Sequence, residues 1–295
     1  MSEKDLEKHL KALVEMCSRI NFSFKESEVL SQILKRSCDI LNVEGMSILL
    51  NVPGGDILSF YAVEGPAKEK ILKIGSISTK EGIAGWVYNT GKGVFLNDPY
   101  THPKFLPFVD KETGFHTKNL ICVPLISRMK KMGVLEAVNK KEGLFDNSDL
   151  YFTEVLAGIV SIVLRNIGLF TELAHQKNLV KSILASIPGG FIAIDTDERV
   201  IEFNAAAGRI LGFSSSTVLN LNVKSVFKMQ KEIVEVLIKT LREGKTGNRL
   251  ILHTQKSNGQ KLILGYGTLL IKNPEGRIIG AGMIFQDLTQ IQGLP

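Results

Sequence analysis

The apolar residues of this chain change their spacing several times, and each change marks an element. Over residues 26–41, Val29, Leu30, Ile33, Leu34, Ile40 and Leu41 share one helical face with Ser37. That is the three- and four-residue spacing of an amphipathic helix. A similar helix is predicted over residues 3–20. Strands over 44–50 and 57–63 flank Pro53-Gly54-Gly55-Asp56, a turn cluster whose glycines tolerate positive φ. Residues 82–90 read as a short helix closed by Gly91, and a strand follows over 93–97. Next come a Pro-punctuated loop, His102–Pro107, and one helical turn, Val109–Thr113, which Gly114 stops by offering a left-handed residue. Two apolar runs, Asn119–Ile126 and Met132–Asn139, then flank a basic turn, the pattern of a hairpin.

From Asn147 a single helical pattern runs as far as Ile187, where Pro188-Gly189-Gly190 ends it. Alternating steps of four and three land on Phe152, Leu156, Ile159, Val163, Asn166, Phe170, Leu173, Lys177, Val180, Leu184 and Ile187, nine of the eleven apolar. Such a seam, with one Asn to fix the register, predicts a two-stranded coiled coil and hence a homodimer. Beyond it lie a strand, the Asp195-Thr196-Asp197 turn, a second strand and a helix opened by Asn204, a residue suited to N-capping. A helix over 231–242 and strands over 248–254, 261–270 and 277–286 complete the pattern. The Asn258-Gly259 and Pro274-Glu275-Gly276 turns between these strands predict antiparallel hairpins.

A chain of 295 residues has room for about two domains. The composition, 44% hydrophobic and 22% charged, is that of a soluble globular protein. The net charge of +6 is scattered, and its densest knot, Arg128, Lys130 and Lys131, falls in the hairpin turn, where solvated charges belong. No basic stripe or nucleic-acid motif is visible. Cys17, Cys38 and Cys122 are odd in number and form no C-x-x-C, as expected of a reducing compartment. The charged N-terminus does not read as a signal peptide. The longest apolar run, Val155–Leu164, falls short of the ~20 residues that span a bilayer. The expectation is a cytoplasmic protein with neither membrane nor nucleic acid as partner. No P-loop, Ser-His-Asp set, metal-ligand spacing or kinase signature appears, so no catalytic residue, metal site or enzymatic activity is expected.

The stretch from His102 to Lys140, continued by Phe145 and Asp149, resembles a GAF domain. It is most similar to the cyclic-nucleotide-binding GAF domains of phosphodiesterases and adenylyl cyclases, which carry a signature N-K-x(n)-F-x3-D-E. Here Asn139-Lys140, Phe145 and Asp149 fit it, with Leu150 in place of the final Glu, and Val63 stands where some relatives stack an aromatic on the purine. The resemblance implies a closed small-molecule pocket with Ser47, Ile83, Ala84, Asp110, Thr113, Thr117 and Glu136 as ligand-binding positions. It implies an ion pair of Lys140 with Asp149 that locks the pocket, and cyclic AMP or cyclic GMP as candidate ligands. The second half resembles a PAS domain, carried by Phe203-Asn204-Ala205-Ala206-Ala207, Ile210-Leu211-Gly212-Phe213 and the terminal Asp287-Leu288-Thr289.

The resulting organisation is α+β, with two sensory domains joined by a long helix. Each domain is a central antiparallel sheet flanked by helices. The N-terminal helix spans 1–24, the GAF domain 25–165, the connecting signalling helix 147–187, the PAS domain 188–291 and a tail 292–295. The function this implies is a dimeric signal-transduction sensor that passes a small-ligand signal to a downstream effector. That effector is a histidine kinase, a cyclase or a transcription regulator. The alternative is a ligand-free scaffold for dimerisation and partner docking.

Overall fold

A computed structural model of the chain describes residues 26–289. The helix expected over 3–20 and the tail 292–295 lie outside those residues. The chain divides into two compact units, residues 1–171 and 172–295.

In the first unit, α1 (Glu26–Leu41) precedes strands β1 (Val43–Asn51) and β2 (Ile57–Glu64). A short helix α2 (Lys68–Ile74), strand β3 (Ser76–Ser78), helix α3 (Gly82–Thr90) and strand β4 (Val94–Leu96) follow. Helix α4 (Phe108–Thr113), strands β5 (Leu120–Ser127) and β6 (Lys130–Lys140), and the start of α5 (Asn147–Ser186) complete it. The six strands form one sheet in the order β3-β2-β1-β6-β5-β4, and every neighbouring pair is antiparallel. The basic hairpin turn is made by Arg128 and Met129, both at positive φ (45° and 65°), the backbone that a two-residue hairpin loop needs.

Side chains alternate across a strand, and this alternation gives the sheet two apolar faces with different jobs. Met46 and Ile48 of β1, Ile121 and Val123 of β5, and Leu135 and Ala137 of β6 form one face. Leu30, Ile33 and Leu34 of α1 and Phe152, Leu156 and Val160 of α5 cover it. Complete burial of such side chains is worth about 1.5–3 kcal/mol each. The opposite face carries Leu49, Leu120, Cys122 and Val134, packed on Ile83, Ala84 and Val87 of α3. Ser47 and Glu136 belong to this second face because each neighbours a residue of the first.

Helix α5 is buried on one side only as far as Leu164. Farther along, Leu169, Phe170, Leu173, Leu179, Val180 and Ile183 are all exposed. By length and composition α5 would suffice to cross a membrane, and 39% of its most apolar window is buried within the protein. Its first half owes its apolarity to the core it fills.

The second unit holds β7 (Gly190–Asp195), β8 (Val200–Phe203), α6 (Ala205–Leu211), α7 (Val223–Val226), α8 (Lys231–Glu243), β9 (Leu250–Gln255), β10 (Lys261–Lys272) and β11 (Ile278–Asp287). Its antiparallel sheet has the order β8-β7-β11-β10-β9. The core gathers Phe203, Phe227, Leu237, Met283 and Phe285, with Phe227 ring-packed on Phe203 and Phe213.

Asn204 does more than cap α6. Its Oδ1 accepts from Ala207 N (2.8 Å) and Phe191 N (2.9 Å), and its Nδ2 donates to Leu184 O (3.1 Å) and Gly189 O (2.9 Å). One buried amide thus joins the start of α6, strand β7 and the last turn of α5. Asn204→Ala removes a cap and leaves the Phe191 amide unpaired, so it should cost the second unit about 2–4 kcal/mol in urea unfolding. Asn204→Asp, which keeps the acceptor bonds, should lose less.

Candidate functional site

The second face of the first sheet is the floor of a cavity of about 130 Å³, room for on the order of ten waters. Ser47 and Glu136 lie on its floor, Val63 and Phe60 on the β2 side, and Ile83 and Ala84 at the start of α3. Phe105, Phe108, Val109, Asp110, Phe115 and Thr117 form another wall, contributed by α4 and its flanking loops. Six of the seven expected ligand positions therefore meet around one space. Thr113 does not line it. Its hydroxyl donates to Val109 O (2.7 Å) and accepts from Phe115 N (3.2 Å), which ties off the end of α4. Gly114 stops that helix at φ 70°, and Lys70 of α2 donates to the Thr113 carbonyl (2.6 Å).

Asp110 is buried and its carboxylate is already matched. Oδ1 accepts from Thr117 Oγ1 (2.7 Å), and Oδ2 accepts from Thr117 N (2.7 Å) and Tyr100 OH (2.8 Å). The hydrogen bond to Asp110 holds the Tyr100 phenol above its usual pKa. Asp110, Thr117 and Tyr100 together latch α4 over the cavity. Asn139, at φ 59°, anchors the far side of the latch: Nδ2 donates to His116 O (2.8 Å) and Glu44 Oε2 (3.0 Å), and Oδ1 accepts from Lys118 N (2.7 Å).

Glu136 is placed differently. It pairs across the sheet with Ser47 on β1 and Cys122 on β5. Ser47 Oγ donates to it at 3.4 Å, and the Cys122 thiol is its other partner. Burial raises its carboxyl from 4.5 to about 7, since desolvation penalises the charged form. Burial also pushes the Cys122 thiol well above its usual range, with the Glu136 charge adding to the effect. The cation among the cavity-lining residues is Lys68, whose Nζ is bound to Glu64 Oε1 (2.8 Å).

The N-terminus of α3 opens on the same space through Gly82, Ile83 and Ala84. Its N-cap, Glu81, makes no side-chain capping bond, and the first N–H groups of a helix lack intrahelical acceptors. Gly85 lets this helix sit against the turn that follows β3: a Cβ there would come within 2.5 Å of Thr79 O.

A family model for the GAF domain matches residues 25–165, and one for the PAS fold matches residues 178–288. The chain carries a GAF domain followed by a PAS domain. That is the architecture of a signal-transduction sensor.

A probable 3',5'-cyclic phosphodiesterase, pde-5, of Caenorhabditis elegans is 31% identical over 120 residues, which is 38% of this chain. The match spans 16% of that relative's own length. Among solved structures, the GAF domain of a phosphoenolpyruvate-protein phosphotransferase from Coxiella burnetii superposes with a TM-score of 0.51 at 18% identity. That match covers 57% of this chain and 98% of the other, and it bears on fold alone.

In the GAF domain, Lys140 Nζ is ion-paired with Asp149 Oδ2, and both side chains are largely buried. The pair ties the end of β6 to the first turn of α5. Sequence reasoning missed helix α2 and the aromatic lining of the GAF pocket. Phe60, Phe105, Phe108 and Phe115 supply rings around the cavity, with Val63 beside them. The signal for α2 was confined to seven residues, KEKILKI, whose N-cap Ala67 makes no side-chain bond.

The Glu136 carboxyl has a definite sign in stability. Below pH 4.5 it is neutral folded and unfolded. Between 4.5 and about 7 the unfolded chain ionises first, so stability falls as pH rises. Glu136→Gln should therefore unfold at a higher temperature than the native protein at pH 8, by an amount equivalent to about 1–3 kcal/mol. The two should converge at pH 4.5.

Proposed function

We propose that the GAF pocket binds a cyclic nucleotide and that α5 relays its occupancy, within a homodimer, to the PAS domain and an effector. The observation that carries this reading is the combination of groups around one cavity. Aromatic walls suit a purine, the Glu136 carboxyl on the floor suits its polar edge, and free N–H groups at the start of α3 suit one anionic phosphate. The similarity to a probable cyclic phosphodiesterase supports the same ligand class. Asp110 and Thr117 act chiefly as the latch that closes α4 on the ligand, and Lys140–Asp149 connects the pocket sheet to the relay helix. The protein works in the cytoplasm, and its output passes to a histidine kinase, cyclase or transcription regulator.

Leu106 and Phe108 line the cavity yet are exposed by 47% and 44%. Their burial on a bound ligand supplies part of the closing force. The relay needs the ligand to favour one packing of α5 over another, and a differential of about 1–3 kcal/mol suffices. The exposed seam Phe170, Leu173, Val180 is the dimer contact.

Thermal unfolding with cyclic AMP or cyclic GMP at a hundred times Kd should stabilise the GAF domain by about 2.7 kcal/mol. Asp110→Ala should shrink that shift sharply. A flat response to both nucleotides would leave the dimerisation scaffold as the better reading. Leu173→Pro should dissociate the dimer in sedimentation; an intact dimer would remove α5 as the contact.

A further inference from the structure

Among the acidic groups of the GAF pocket, Asp110 and Glu64 are already matched, Glu81 stands exposed at the N-cap of α3, and Glu136 on the floor is open. Asp110 accepts three hydrogen bonds from Thr117 and Tyr100. Glu64 accepts from Lys68 (2.8 Å) and also binds Ser31. Glu136 faces the cavity with a long bond from Ser47 and a weak thiol donor, and among the described residues no cation is ion-paired with it. We infer that Glu136 is the residue that chooses the base, and that it chooses according to whether it carries a proton. This rests on the cyclic-nucleotide reading above and adds to it which nucleotide is taken.

The chemistry follows from the two forms of the carboxyl. A neutral carboxylic acid presents one donor and one acceptor side by side. That pattern matches adenine, whose ring N1 accepts and whose amine donates. An ionised carboxylate presents two acceptors, which matches guanine, whose N1–H and 2-amino group both donate. Neither base changes protonation near neutral pH, and the cyclic phosphodiester stays a monoanion. The switch therefore lies in the protein. A group raised to about 7 by its burial is divided between both forms at physiological pH.

The remaining titratable groups of the site are Cys122 on β5, held as the neutral thiol by burial, and Glu64, Lys68, Glu81 and Asp110 on the lining. Ser47 on β1 does not titrate. His116 lies outside the lining, with its ring centroid 5.1 Å from that of Tyr100. Any pH dependence from His116 survives replacement of Glu136, so the variant separates the two.

The test is calorimetric titration of the full chain with cyclic AMP and cyclic GMP at pH 6 and pH 8. The competent fraction of Glu136 changes about tenfold across that interval, and apparent affinity scales with it. Kd for cyclic AMP should rise about tenfold from pH 6 to pH 8, and Kd for cyclic GMP should fall by about as much. The Glu136→Gln amide copies the neutral acid, with one donor and one acceptor. It should bind cyclic AMP equally at both pH values and cyclic GMP weakly at both. Binding of either nucleotide with an unchanged affinity ratio, or a Glu136→Gln protein that keeps the native pH profile, overturns this inference alone. Binding of neither nucleotide at either pH overturns it together with the cyclic-nucleotide reading.

Discussion

A single layer of β-sheet separates the pocket of the GAF domain from the helix that leaves it. Strand β6 sends Leu135 and Ala137 to the face covered by α5, and Glu136 and Val138 to the cavity. No linker or secondary layer intervenes. The strand alternation that places an acid on the pocket floor also places its two neighbours against Phe152, Leu156 and Val160. Interiors are packed to near-crystalline density, so a change in spacing on one side of such a sheet is felt on the other. The coupling proposed between pocket and helix therefore needs no long pathway.

Polar contacts define the ends of this helix, one set in each domain. At its start, Asp149 holds Lys140 of β6 while Asp146 Oδ1 accepts from the amides of Ser148 and Asp149 (2.8 and 3.0 Å). Breaking a buried pair of this kind leaves a charge unmatched, which is strongly destabilising. Near its end, Leu184 O is taken by Asn204, which also holds β7 and α6. Each domain thus grips its own end of α5. The stretch between the grips carries exposed apolar residues and no core of its own. The helix is thus fixed at both ends, and its middle presents apolar side chains to solvent.

The wall formed by α4 follows a different logic. It is six residues long and has little apolar anchorage, so hydrogen bonds hold it. Asp110 with Thr117 and Tyr100, Lys70 with Thr113 O, and Asn139 with the backbone of His116 and Lys118 form this set. The buried residues of this short helix are Asp110 and Thr113, and segments with few buried apolar contacts are the less stable parts of a fold.

Much of this was legible in the amino-acid order. The strands, the long helix, the turn at Arg128-Met129 and the stop at Gly114 follow from spacing and from local backbone preference, and both act over a few residues. Helix α2 and strand β3 escaped because they are too short for periodicity to register; Ile57, Leu58 and Ser59 of β2 hold β3 in place by pairing. The pocket positions were legible as a group, but their roles were not. Asp110 and Thr117 look like ligand contacts along the chain, yet they bind each other, and Tyr100 completes the set. Glu136 reads as a ligand position through the resemblance alone, and folding sets it between Ser47, 89 residues away in sequence, and Cys122. The sequence alone determined where helices and strands begin and which faces they bury, because those depend on neighbours within a turn or two. Only the tertiary structure decided which polar groups are matched and which stay open, because hydrogen bonding and desolvation depend on partners that folding brings from distant parts of the chain.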